Sequence, residues 1–257
     1  MDLKTYLVGF VVCTLVGIAK AGFAGGIGVL ATPLFCLAVD PRKAVGVLLP
    51  VLCAADLFSM YYYRRLFAGR PLAYALIGAC GGIALGAFFL GTLQERHLKV
   101  FVGAIALLFV FYRVGRALAG RASSSWRPGL PTGVLFGLVA GFCSTMAHAG
   151  GPIMAAYLLP QGLGRRVYVG TTVFFFGIVN HLKLIPYGSL GMLQGPNLLF
   201  SLSLLPTVPL GVWLGVTLNK KISESAFLVA VYIILFLVGL KLVGVPSPIE
   251  LFLAPSR

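Results

Sequence analysis

The chain is poor in charge, and poorest in acid. Only 10% of its 257 residues are charged, and Asp and Glu together number 6 against 20 Lys and Arg. A soluble domain carries about 25% charged residues, so an ordinary water-facing surface is excluded. No long polar segment separates the apolar runs, which leaves no room for a soluble catalytic domain. Cysteine supplies no framework either. Cys13, Cys36, Cys53, Cys80 and Cys143 stand apart in apolar runs without close pairs or metal-like spacing, and read as small buried hydrophobes. Histidine is scarce, at 3 residues. The chain has no His-Glu-x-x-His, no Gly-x-Ser-x-Gly and no paired carboxylates within its apolar runs, so the usual metalloprotease and hydrolase signatures are absent. Ser144 and His148, four apart, could be read as nucleophile and base, but no orienting acid lies near them in sequence. Nothing in the pattern calls for a cofactor or a metal.

What is abundant is hydrocarbon. Hydrophobic residues make up 59% of the chain, and the mean hydropathy is +1.00. Apolar runs near twenty residues recur from end to end, the length an α-helix needs to cross about 30 Å of hydrocarbon. The sequence therefore predicts an all-α polytopic membrane protein. The net charge of +14 sits in short clusters between the runs, as in "YYYRRLFAGRP" and "GLGRRVY". That is the pattern of anchors to membrane lipid headgroups, not of a nucleic-acid-binding surface. Lys4, the apolar run to Ala19 and the "AKA" at 19–21 resemble a cleavable signal peptide. The Gly22-Phe23 pair that follows recurs at Gly141-Phe142, so the run belongs to a repeated unit and is expected to be retained.

That repeat is legible along the whole chain. "GFAGGIGVLATP" at 22–33 matches "GFCSTMAHAGGP" at 141–152, an offset of 119. "VG" at 45–46 matches "VG" at 169–170 at offset 124, which sets Asp56 on Asn180, and "LGAFFLGTL" at 85–93 matches "LGVWLGVTL" at 210–218 at offset 125. Three matches in order predict a duplication, with halves at 1–120 and 121–257. Each half reads as two apolar arms around a Gly-rich break, then three spans: about 44–63, 72–92 and 99–118, and about 167–187, 197–218 and 224–244. The arms after the breaks, 26–39 and 150–159, are too short to cross a bilayer comfortably. They are expected to form a broken or re-entrant helix pair with the arm before. An odd number of further crossings then inverts the second half relative to the first. Sorting the loops puts Arg64, Arg65, Arg70, Arg113, Arg116, Arg121, Arg127, Arg165, Arg166, Lys220 and Lys221 on one side. Lys4, Arg42, Lys43, Arg96, Lys99, Lys241 and Arg257 fall on the other. The richer side is expected to be cytoplasmic, with both termini outside.

The first glycine cluster looks at a glance like a dinucleotide loop. That fingerprint needs a preceding strand and an acid about twenty positions on; here Asp40 lies beyond a whole apolar arm. The alternative is an anion site. Glycines break a helix and free backbone N–H groups, which a membrane tolerates only where protein buries them or they line a cavity. Inverted repeats with broken helices aim their positive helix N-termini at the midplane. The competing reading of the same glycines is close helix packing. Polar residues at depth favour the site: Lys20, Asp56, His148, Asn180, His181 and Lys183. The expected substrate-binding set is Lys20, Gly25, Gly26, His148, Gly150, Gly151, Asn180 and Lys183. Asp56 and His181 are expected to tune charge or take up a proton. Against this, Lys183 could snorkel to the interface and touch only headgroups.

"GFAGGIGVLATPL", "HAGGPIMAAYLLP" and "TTVFFFGIVNHLKLIPYGSLG" together resemble the TauE/SafE family of sulfite exporters, over essentially the whole chain. The resemblance implies a multi-pass carrier in the bacterial inner membrane. It would move sulfite, a sulfonate or a related sulfur-containing anion, and the reading leaves room for a homo-oligomer. The first break is closer to a plain glycine pattern than the second, where "CSTMAH" intervenes, so the two halves need not contribute equally. An inside-negative potential favours anion exit by about 2.3 kcal/mol per charge per 100 mV. Alternatives are a channel or structural subunit of a membrane complex, and, less favoured, an intramembrane enzyme.

Overall fold

A computed structural model describes residues 3–20, 27–118, 128–219 and 224–245. These residues are helical, with no strand among them. In chain order the helices are α1 Leu3–Lys20, α2 Ala31–Phe35, α3 Pro41–Tyr62, α4 Gly69–Thr92, α5 Glu95–Leu118, α6 Leu130–Ala147, α7 Gly151–Leu158, α8 Arg165–Ser189, α9 Gly195–Leu204, α10 Thr207–Asn219 and α11 Glu224–Val243. A 3-10 turn, Ile27–Leu30, leads into α2. Six stretches among the described residues are long and apolar enough to cross a membrane: Pro41–Tyr62, Gly69–Thr92, Glu95–Gly115, Leu130–Ala147, Arg165–Ser189 and Gly195–Gly215. The chain is a polytopic helical membrane protein.

The arms that follow the two glycine-rich segments are short, as expected. α2 has 5 residues and α7 has 8, far below the roughly twenty a crossing takes. The stretch at 197–218, read above as one span, is instead two helices. Leu205 and Pro206 interrupt it, because Pro206 has no N–H to give and its ring crowds the carbonyl of Leu202. The turn is closed by Leu205 N–H donating to Leu202 O at 3.2 Å, Val208 N–H to Leu205 O at 3.1 Å, and Thr207 Oγ1 to Leu204 O at 2.6 Å.

Helix ends are set by local chemistry. Asp40 caps α3, its Oδ1 accepting from Lys43 N at 2.9 Å, and Pro41 fills the first turn where a missing N–H is harmless. Arg42 then crosses to the far end of α4. Its Nε donates to Leu90 O at 2.7 Å, and its Nη2 to Gly91 O at 3.2 Å and Leu93 O at 2.6 Å, satisfying carbonyls that the end of α4 leaves free.

Packing runs across the two halves of the chain. α4 packs along α6, α1 along α10, α5 along α11 and α3 along α8. The α4–α6 contact is so close that a Cβ on Gly78 or Gly82 would strike the backbone carbonyl of Val134 or Leu138. One on Gly137 would strike that of Ala75. Small residues allow such approach where hydrocarbon provides no hydrophobic drive between helices. The same holds for Gly17 of α1 and Gly211 of α10, which face each other backbone to backbone. Arg113 ties α5 to α11, its Nε 2.8 Å from the Tyr232 hydroxyl.

Candidate functional site

α6 ends inside the molecule, at the glycine-rich break. His148 closes it in the left-handed conformation (φ 51°, ψ 29°), the only non-glycine with positive φ among the described residues. His148 N–H donates to Ser144 O at 2.9 Å and Ala149 N–H to Cys143 O at 3.3 Å. The first bond is that of an αL cap, from the residue after the helix to the carbonyl four back, with histidine where glycine is usual. A left-handed L-residue costs roughly 1–2 kcal/mol, and the imidazole here is held from both sides. Its Nε2 lies 3.0 Å from Val45 O on α3, and its Nδ1 lies 2.9 Å from the Lys183 ammonium on α8. Lysine can only donate, so Nδ1 is the acceptor and the ring proton sits on Nε2, facing Val45.

Lys183 has 0% exposure and is among the largest fully buried side chains. Its Nζ also donates to Ser144 O at 3.0 Å and to Ser144 Oγ at 3.1 Å. The lysine therefore does not snorkel. It turns inward and joins the break at the end of α6. One helical turn further on, Tyr187, also fully buried, donates to Thr145 O at 2.5 Å. Three residues before Lys183, Asn180 Nδ2 donates to Asp56 Oδ2 of α3 at 2.6 Å, and both side chains are buried. Asn180, Lys183 and Tyr187 thus form one stripe on α8 at helical spacing, joined to α3 at one end and to α6 at the other.

A buried lysine, a buried acid, a strained histidine and a helix start at Gly151 converge in a polytopic bundle. In the comparison with protein families, the model of the family described as Sulfite exporter TauE/SafE matches residues 9–242. The chain belongs to the TauE/SafE sulfite exporter family. This is a transporter family, and the six apolar helices place its member here in a membrane. No curated protein and no solved structure gives a significant match.

Within this TauE/SafE chain the expected site residues fall into four groups. His148, Lys183, Asn180 and Asp56 are drawn into contact through hydrogen bonds that link α3, α6 and α8. His181 is not drawn in: partly buried, its Nδ1 sits 2.7 Å from Gly177 O of its own helix. Lys20 ends α1, and its side chain, like Gly25 and Gly26, lies outside the described residues. The two glycines of the second break differ. Gly150 is buried, and a Cβ there would come within 2.6 Å of Ala140 O and 3.0 Å of the Phe176 ring. Gly151 has nothing within 4 Å of the same added atom. Gly150 is therefore a packing position, while Gly151 opens onto free space at the start of α7.

Two participants escaped the sequence reading. Ser144 was weighed only as a nucleophile, yet it supplies two of the lysine's acceptors. Tyr187 passed unnoticed, although its spacing of four from Lys183 was the signal that could have found it. Two buried hydroxyls, Thr14 Oγ1 in α1 and Thr32 Oγ1 in α2, have no hydrogen-bond partner among the described residues.

Proposed function

We propose that this chain is a secondary transporter that exports sulfite or a related sulfur-containing anion, such as an organosulfonate, by alternating access. The observation that carries the reading is the Lys183 ammonium, fully buried on a spanning helix and turned toward the break at His148. An ionisable group at such depth is costly and marks substrate paths more often than structure. An oxyanion entering at the break would take over hydrogens that Lys183 now gives to Ser144 and His148. The freed Ser144 hydroxyl could then donate to it. Backbone N–H groups at Gly150 and Gly151 and the positive end of α7 add partial charge of about half a unit. Asn180 completes the cradle, and Asp56 sets its charge or couples a proton. Lys20, Gly25 and Gly26 contribute from the first half. The setting is the bacterial inner membrane.

The halves 1–120 and 121–257 act in this reading as inverted repeats. Two observations support it. The packing of α4 on α6 is answered by that of α1 on α10, which exchanges first and fourth segments between halves. Asp56 and Asn180, separated by the repeat offset of 124, touch each other, as equivalent positions do only beside a shared two-fold axis.

Calorimetric titration in detergent with sulfite, sulfate, thiosulfate, taurine and sulfoacetate tests the site. Lys183→Gln should weaken the preferred anion at least tenfold, about 1.4 kcal/mol. Wild-type affinity in this variant would reduce Lys183 to a tie between α8 and α6. Counterflow in proteoliposomes tests the carrier: a channel gives no exchange stimulated from the opposite side.

A further inference from the structure

α3 and α10 do not close on each other. Between them lies a cleft of about 840 Å³ whose walls include Ala54, Phe58 and Tyr62 of α3 and Pro206, Pro209 and Trp213 on the other side. Its inner end is the interruption at Leu205–Pro206, midway along the Gly195–Gly215 span, and its outer end is Tyr63, where α3 stops. From Ala54 to Tyr63 the helix rises about 14 Å at 1.5 Å per residue. That is close to half of a hydrocarbon core about 30 Å thick. The cleft therefore runs the depth of one leaflet. Phe58, Tyr62 and Trp213 are 80%, 75% and 62% exposed, on helices that cross the membrane, so the solvent at its opening is lipid.

The mouth of this cleft is basic. Arg64 and Arg65 follow directly on Tyr63 and are both exposed. Arg64 is held in place, with its guanidinium 4.5 Å above the Tyr61 ring and its Nη1 3.4 Å from Tyr61 O. Tyr61 and Tyr62 are 72% and 75% exposed, the amphipathic rings expected at headgroup level. The sole acid between Pro41 and Gln94 is Asp56, which is fully buried. From the apolar trench one leaflet deep and the exposed arginines at its rim, we infer that the α3–α10 cleft is a binding site for one anionic phospholipid. An acyl chain lies along Phe58 and Trp213, and the phosphate is held by Arg64 and Arg65. The ammonium site at Lys183 plays no part in it.

Trp213 provides a built-in reporter, since the chain has only one other tryptophan, Trp126. In a Trp126→Phe protein reconstituted into phosphatidylcholine vesicles, Trp213 fluorescence is titrated with acyl-brominated phosphatidylglycerol and, separately, with acyl-brominated phosphatidylcholine. The anionic lipid should reach half-maximal quenching at a mole fraction about fivefold lower, the ratio that one basic residue near the surface supplies. Arg64→Gln with Arg65→Gln should remove that preference while leaving quenching by the zwitterionic lipid intact. Ala54→Phe, which fills the trench, should weaken quenching by both. Coincident curves for the two headgroups would mean ordinary boundary lipid and overturn the inference. So would a preference that survives loss of both arginines, or a tryptophan quenched by aqueous iodide and not by brominated chains.

Discussion

Buried charge in this protein is arranged in two small clusters that share one helix, and each makes a distinct demand on its residues. Lys183 can give hydrogens only, and finds its acceptors on Ser144 and His148. Asp56 can accept without donating while ionised, and receives from Asn180. Removing one partner strands the other, at about 1–3 kcal/mol or more when a charge is involved. Asp56→Ala should therefore lower the melting temperature in detergent, because the Asn180 amide loses its acceptor. The exchange Asp56→Asn with Asn180→Asp keeps the hydrogen bond and should recover that stability. If transport returns as well, the carboxylate acts through the pair as a unit. If stability returns without transport, the carboxylate is needed on α3. Thermal unfolding and proteoliposome flux on the same preparations decide between these outcomes. At the break, Gly150→Ala should be destabilising, since its methyl meets the Ala140 carbonyl. Gly151→Ala meets nothing and should fold as the wild type does, so any loss of anion affinity there reports on the site alone.

At the scale of elements, proline and arginine do the punctuation. Pro206 divides a stretch long and apolar enough to cross the membrane into α9 and α10, and so creates the inner end of the lipid cleft. Arg42 does the reverse and joins elements, since one guanidinium fork from the first turn of α3 satisfies three carbonyls around the end of α4. A planar fork with five donors can do this and an ammonium cannot. Arg42→Lys is thus not conservative. It should lose most of what Arg42→Ala loses, on the order of 1–3 kcal/mol for the stranded carbonyls. Amide hydrogen exchange should locate the loss at Leu90–Leu93, and protection there equal to wild type would show that water replaces the guanidinium without cost.

For the whole molecule, the exchanged packing of α1 on α10 and α4 on α6 means that neither half has a complete set of neighbours by itself. Expressed alone, residues 1–120 should insert but fail to give a monodisperse species in detergent, and co-expression with 121–257 should restore one. Size-exclusion chromatography would show it, and a stable, monodisperse first half would contradict the interlocked arrangement. Orientation is a second whole-molecule property. The bias of basic residues predicts both termini outside; single cysteines at Arg65 and Arg166, in a background lacking the five native cysteines, should then react with impermeant maleimide only after the membrane is opened. Labelling of intact cells at those positions would reverse the topology.

The helical membrane class was decided by composition alone, because lipid admits few architectures and a run of some twenty apolar residues leaves the backbone one way to satisfy itself. The family was legible for a related reason: the glycine-rich breaks and the "NHLKLIPY" stretch are local strings that survive without any knowledge of packing. His148, Asn180, Lys183 and Asp56 were legible because polar atoms inside an apolar run are costly enough to demand a purpose. What they touch was not. Snorkelling and inward burial are equally open to a lysine on a spanning helix, and only the approach of α6 to α8 placed Ser144 and His148 around its ammonium. In the same way Gly150 and Gly151 are indistinguishable as letters, and the neighbouring Ala140 carbonyl makes one a packing residue and leaves the other open. A sequence records what each residue can donate, accept or bury; which partner it meets is settled by helix crossings that bring together residues 35 to 124 positions apart.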